Sequence, residues 1–358
     1  MAGSDGMTYA PQGKPAPVCQ KGEFKIAAVH LDHGHIYGQC NGLVEAGAEV
    51  AWVYDPDPAR VAAFQEKFPG AKAAPNLETV LDDPSIQLVA AAAVTNRRGP
   101  LGCRVMEAGK DYFTDKAPFT TLGQLAAARE VAARTGKKYM VYYSERLHVE
   151  CAILAGQIVE DGAIGRVIQT IGTGPHRLNA PARPPWFFRH EEYGGILCDI
   201  GSHQIEQFLF YTGAKDARIQ SAAVANYGNP DYPELEDFGE ASLAADNGAS
   251  GYFRVDWFTP DGLRTWGDGR TIILGTKGYI ELRKYLNLGS PDGTGDQLLL
   301  VDGQGEQVIS CGGKVGFPYF GQLILDVLNR TENAMTQEHA FKAAELCLKA
   351  QQAAVKLA

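Results

Sequence analysis

From residue 24 to residue 143 the chain alternates short apolar runs with helical stretches, and no other feature restricts its fold as strongly. The runs are 24–29, 49–54, 88–94, 111–114 and 139–143. Each suits one buried strand and is too short for a helix of useful length. Helical patterns fall between them: 37–46, stopped at Gly47; 58–68, with Pro58 in its first turn; 77–81; 99–108, ended by Gly109; and 122–135, capped by Gly136. Strands joined by crossovers of this length predict a parallel, doubly wound sheet.

After residue 144 the rhythm changes. A helix is predicted over 148–160, then longer alternating strands over 167–172, 218–227, 239–244, 250–257, 270–274 and 279–282. Sequential strands with glycine turns predict a large, mostly antiparallel open sheet. Helices over 322–328 and 338–357 close the chain. The expected fold is therefore α/β: an N-terminal Rossmann sheet at 24–145 and a C-terminal α+β domain at 146–358. Residues 1–23 are rich in Pro and Gly and read as an arm without a core of its own.

Composition bounds the partners. With 358 residues the chain is too long for one small core. A net charge of −9 argues against nucleic acid or an anionic membrane as partner. No run is apolar enough to span a bilayer, and the first residues lack the apolar core of a secretory signal. The seven cysteines are scattered and form no CxxC, which fits reduced thiols and a cytoplasmic location.

The chemistry concentrates at two places. Asp199 and His203 lie four apart, just after Gly194-Gly195, so one helix would put them on one face. A carboxylate beside an imidazole suits proton transfer near neutral pH; alternatively, Asp199 caps the helix that carries His203. Lys116 follows the strand 111–114, and strand ends are where open α/β sheets bind ligands. Lys116, Asp199 and His203 are the candidate catalytic residues for a sugar or polyol hydroxyl.

The loop after the first strand has the position of a dinucleotide loop but not the G-x-G-x-x-G wording. His30 and Asp32 stand where small residues usually let pyrophosphate approach; alternatively Gly34 plays that permissive part. Candidate cofactor contacts are Leu31, Asp32, His33, Gly34, His35 and Ile36. Asp55, about twenty residues on, would accept from the ribose hydroxyls and favours NAD over NADP. His33 and His35 invite a metal reading, but two ligands on one tight loop with no further cluster nearby make a poor zinc site, and no metal is expected. The segment 174–189 mixes aromatic and basic residues. It reads as a sugar-binding stretch or a subunit contact, with His176, Trp186 and Tyr143 as substrate candidates.

Four motifs together resemble the Gfo/Idh/MocA family, the glucose-fructose oxidoreductase and inositol dehydrogenase group. They are Asp115-Lys116-Ala117-Pro118, Gly194 to His203, Ala93-Val94-Thr95-Asn96, and Glu338-His339-Ala340. The resemblance runs from Phe24 to the end of the chain. It implies hydride transfer between a nicotinamide and a sugar or cyclitol carbon, and it adds Thr95, Asn96 and Lys116 to the NAD contacts. Two departures stand out: the glycine-poor loop, and Ala117 between Lys116 and Pro118 where the family has a cis-proline turn.

The wording around Trp186 and Gly194–His203 is most similar to bacterial enzymes that oxidise O- or C-glycosides at C3, whose product a keto-glycoside lyase would consume. Alternatives are an inositol or free-aldose dehydrogenase, a glycosidase that cycles bound NAD, and a nucleotide-binding sensor. The open sheet needs covering, so a homo-oligomer is expected.

Overall fold

The structure, a computed structural model, describes residues 14–291 and 293–357. Residues 1–13 of the expected arm lie outside them. From Lys14 on, the arm lies against its own chain: Val18 N donates to Ala46 O at 2.9 Å, beside the end of the helix His35–Glu45.

Six parallel strands form the first sheet: β1 (Lys25–Val29), β2 (Glu49–Tyr54), β3 (Lys72–Ala73), β4 (Leu88–Ala91), β5 (Asp111–Asp115) and β6 (Tyr139–Tyr142). Their order is β3-β2-β1-β4-β5-β6. The order reverses between β1 and β4, and a crevice opens there at the carboxyl ends of the strands. β3 has two exposed residues and no apolar run, so no periodicity marks it in the sequence.

One helix starts earlier than its pattern suggested. It spans Thr95–Glu107, with Pro100 inside. A proline there leaves the carbonyl four residues back without a donor. Gln124 Nε2 donates to that carbonyl, Asn96 O, at 2.9 Å, and the helix continues through the proline.

The second sheet contains β7 (Val167–Pro175), β8 (Ala217–Ala225), β9 (Phe238–Ala245), β10 (Ser250–Asp256), β11 (Arg270–Gly275), β12 (Tyr279–Arg283), β13 (Gln297–Asp302), β14 (Gly305–Ser310) and β15 (Val355–Lys356). It is mixed: the β7–β10 and β8–β15 pairs are parallel and the other neighbours antiparallel. β13 and β14 were not expected. β14 is an edge strand exposed along almost its whole length, so it shows no alternation. The last helix ends at Ala353, and Val355–Lys356 joins β8 as a strand instead of extending it.

The helix Gly201–Thr212 packs on one face of this sheet. Close approach requires small residues: a Cβ on Gly172 would meet Gln204 Oε1 at 2.1 Å, and one on Gly251 would meet Phe208 at 2.6 Å. The sheet thus holds the first turn of that helix, with His203, across a cleft from Lys116 at the end of β5. No helix among the described residues is long and apolar enough to cross a membrane.

Candidate active site

β5 delivers Asp115 and then Lys116 at the carboxyl edge of the first sheet, and the Lys116–Ala117 peptide is cis. Arg98, buried in the helix Thr95–Glu107, clamps this turn. Its guanidinium donates to the carbonyls of Ala93, Lys116 and Ala117 and to Asp115 Oδ2. Five donors in a planar fork can serve so many acceptors at once, which a lysine could not do.

Across the cleft, Gly194 and Gly195 both take positive φ, +89° and +87°. They turn the chain into the short helix Ile196–Asp199, and Gly201–Thr212 follows. Asp199 does not cap the second helix. Its Oδ1 accepts from Lys116 Nζ at 2.5 Å. Asp199 Oδ2 and His203 Nδ1 are buried and make no hydrogen bond. Both residues line a cleft of about 680 Å³, open solvent at its mouth included, together with Lys116, His33, His35 and His176. A substrate hydroxyl would supply the missing partners.

Electrostatics set the protonation states. Burial pushes His203 down to about 3, against the pull of Glu145 and with Lys116 and His176 adding to the fall. His176 falls to about 4, again through burial first. Both imidazoles are therefore neutral near pH 7. Burial raises Asp199, but Lys116 outweighs it and leaves the carboxyl below its ordinary value. Burial likewise raises Glu145, and the ammonium of Lys284 overrides it, bringing the group to about 2.

Glu145 and Lys284 were not singled out from the sequence. Lys284 Nζ donates to Glu145 Oε2 at 2.7 Å and to Gln207 Oε1 at 2.8 Å, while Glu145 Oε1 is buried without a partner and Glu145 lines the cleft. The position of Glu145 just past β6 was a usable signal. Lys284 follows β12 in the other sheet and carried none.

Two substrate candidates need correction. Tyr143 is fully buried and donates to Ala340 O at 3.3 Å; Tyr142, one residue earlier, lines the cleft. Trp186 packs beside Phe187 and does not line the cleft, whereas Phe187, Trp257 and Trp266 do.

The first-strand loop resolves the question of its glycines. β1 ends at Val29 and the helix starts at His35, so His30, Asp32 and His35 hold the three fingerprint positions. His30 adopts φ +50°, the left-handed conformation a glycine would favour, whereas Gly34 has φ −61° and uses no such freedom. Leu31 N donates to Asp55 Oδ2 at 2.6 Å, and Ile36 N donates to His33 O at 3.3 Å. Asp32 pairs with Arg60 and accepts from Val94 N.

Both ends of a dinucleotide find partners here. Asp55 is buried at the end of β2, and Asn96 Oδ1, beside Thr95 at the start of its helix, is buried without a hydrogen bond. Midway, Arg60 neutralises Asp32 where pyrophosphate would pass. The residues fit the group.

Comparisons with known proteins agree with this layout. Residues 25–143 match the oxidoreductase family with an NAD-binding Rossmann fold, GFO_IDH_MocA, and residues 153–281 match the GFO/IDH/MocA C-terminal domain. A crystal structure from Erwinia carotovora atroseptica SCRI1043, described only as an oxidoreductase, is 51% identical. It superposes with a TM-score of 0.90 over 94% of this chain and 100% of its own. Curated relatives are more distant. A scyllo-inositol 2-dehydrogenase (NAD(+)) from Bacillus subtilis is 27% identical over 72% of this chain and 74% of its own length. A D-xylose dehydrogenase from Paenarthrobacter nicotinovorans is 25% identical over 40% of this chain, a match spanning only 38% of that enzyme.

Proposed function

The chain belongs to the Gfo/Idh/MocA oxidoreductases, and from that premise we propose that it is an NAD-dependent sugar dehydrogenase oxidising C3 of the glucosyl group of an O- or C-glycoside. The observation that carries the chemistry is the pair of orphaned buried atoms, Asp199 Oδ2 and His203 Nδ1, beside the Lys116 ammonium. Sugar-like substrates in the names of the relatives, xylose and scyllo-inositol, support the substrate class.

Neutral His203 accepts the hydroxyl proton at Nδ1. Lys116 donates to the same oxygen and stabilises its growing negative charge. Asp199 holds Lys116 with one oxygen and binds a neighbouring sugar hydroxyl with the other. His176 offers a second neutral imidazole to the ring hydroxyls, and Phe187, Trp257 and Trp266 present faces to its C–H surface. The bound nicotinamide supplies the hydride acceptor. Asp55, Thr95, Asn96 and the backbone of the loop 31–36 would hold the cofactor. Asp55, buried at the end of β2, supports NAD, because a 2′-phosphate on the ribose it binds would meet a carboxylate.

A 3-keto product has acidified neighbouring C–H bonds. A lyase that expels the aglycone is the class of enzyme to consume it.

Absorbance and fluorescence of the purified protein with an aryl glucoside, with and without NAD, test the reading. Reduced nicotinamide should accumulate, and His203→Ala and Lys116→Ala should each lower the rate by about 10²–10⁴-fold. Free aglycone without reduced nicotinamide would mean a redox-cycling glycosidase. Silence in both channels, followed by turnover of scyllo-inositol or xylose, would move the substrate to cyclitols or free aldoses. Dinucleotide binding without any turnover would leave a sensor. Asp55→Ser should shift the preference for NAD over NADP by at least tenfold toward NADP; an unchanged ratio would remove Asp55 from the selectivity argument.

A further inference from the structure

We infer that His33, His35 and Asp115 form a binding site for one divalent transition-metal ion at the floor of the cleft. The two histidines alone made a poor ligand set. The fold brings Asp115 to them from the end of β5, eighty residues away. His35 Nδ1 lies 2.9 Å from Asp115 Oδ1, and His33 Nδ1 lies 3.4 Å from Asp115 Oδ2. All three candidate ligand atoms fall within 4.8 Å of one another. With metal–ligand bonds of about 2.0–2.2 Å, ligand atoms of one ion sit roughly 3–3.5 Å apart. Two imidazoles and one carboxylate are a known set for first-row ions that keep open positions.

His33 Nδ1 faces Asp115 Oδ2 and accepts one long bond, 3.3 Å, from His35 N–H; with a single lone pair, that nitrogen would give up this bond to the ion. The ligands are preorganised and dry: the Asp115 side chain is 1% exposed, that of His33 9% and that of His35 19%. Arg98 and the Lys116 amide fix the carboxylate from behind, as outer-sphere partners do in metal sites.

The neighbouring charges select the ion. Arg98 and Lys116 place positive charge beside the ligands, and Asp199 balances Lys116. A hard ion such as Mg²⁺, held mainly by charge, is disfavoured there. Zn²⁺ or Co²⁺, which gain most from imidazole nitrogen, are favoured. The open positions face the cleft that Lys116, His176, Asp199 and His203 line. The ligand for them is a sugar hydroxyl, polarised so that its proton passes more readily to His203.

The test uses the full chain, free of any affinity tag, stripped with dipicolinate and titrated with Co²⁺ by absorbance and with Zn²⁺ by calorimetry. One ion per chain with micromolar or tighter affinity is expected, and Mg²⁺ should not compete. His35→Ala and, at the buried position, His33→Gln should each weaken binding at least tenfold, while His190→Ala, at a distant surface ion pair with Glu236, leaves it unchanged. Circular dichroism checks that each variant is folded. No stoichiometric binding, or binding that survives the His33→Gln/His35→Ala double variant, overturns the site. The metal site stands apart from the dehydrogenase reading, whereas its sugar-hydroxyl ligand rests on that reading. Reduced nicotinamide formed by protein that binds no Co²⁺ would overturn the metal alone, and bound Co²⁺ without reduced nicotinamide under any substrate would overturn the dehydrogenase alone.

Discussion

A buried imidazole makes the stability of this protein depend on pH in a definite direction. His203 and His148 titrate at about 3 and His176 at about 4 in the folded chain, below the ordinary 6.5, because burial disfavours the charged ring. As pH falls through 6.5 the unfolded chain takes up these protons and the folded chain does not. Stability is therefore complete above about pH 6.5 and declines on the way down, by roughly 1.4 kcal/mol per pH unit for each imidazole. Urea midpoints at pH 8, 7, 6 and 5 should be flat between the first two and fall between the last two. His203→Asn should reduce that fall, and identical pH slopes in the two proteins would remove His203 from the account. Adjacent residues at a strand end point to opposite sides, so Tyr143 enters the core while Tyr142 lines the cleft, a difference of one position that composition does not reveal.

Among the elements, the helix Thr95–Glu107 does most to hold the site, through a side chain that no motif marked. Arg98 ties the ends of β4 and β5 together and holds the Lys116 backbone. Replacing it with Met removes a buried charge but leaves Asp115 and three carbonyls short of a donor. A loss of about 3–5 kcal/mol is expected, the usual cost of breaking a buried pair from one side. In Arg98→Lys the charge stays but the fork is lost, so kcat should fall by more than KM rises while the thermal midpoint drops only slightly. A KM effect alone would mean that Arg98 does not position Lys116. The buried strands of the first sheet and the helices between them were legible because glycine, proline or a helix cap punctuates the runs. β3, β14 and β15 were not, since short or exposed edge strands have no buried face to print a period of two on the sequence; β13 lies inside the sheet, and its run of Leu298 to Val301 is continuous rather than alternating.

For the whole molecule the open sheet poses the remaining question. Its outer face carries Ile171, Tyr252, Ile272, Leu274 and Tyr279, all more than a third exposed. Register joins them: Ile171 is opposite Tyr252 on one side and Ile272 on the other, and Leu274 is opposite Tyr279. A contiguous apolar patch of this kind on a sheet face marks an association surface. We propose a homo-oligomer built through it. The Ile171→Asp/Ile272→Asp double variant should lower the mass measured by light scattering to a smaller assembly without changing the fold seen by circular dichroism. An unchanged mass would place any interface elsewhere.

The sequence by itself determined the alternating architecture of the first sheet and the local motifs around Lys116, Asp199 and His203, because strand period, helix caps and turn residues are written in neighbouring positions. It also determined that the loop after β1 departs from a glycine fingerprint. Only the tertiary structure decided what those motifs face. Lys116 meets Asp199 across eighty-three residues, Glu145 meets Lys284 across 139, and Asp115 meets His35 across eighty. Such contacts depend on how two sheets and their covering helices pack, and packing joins residues whose separation along the chain carries no local signal.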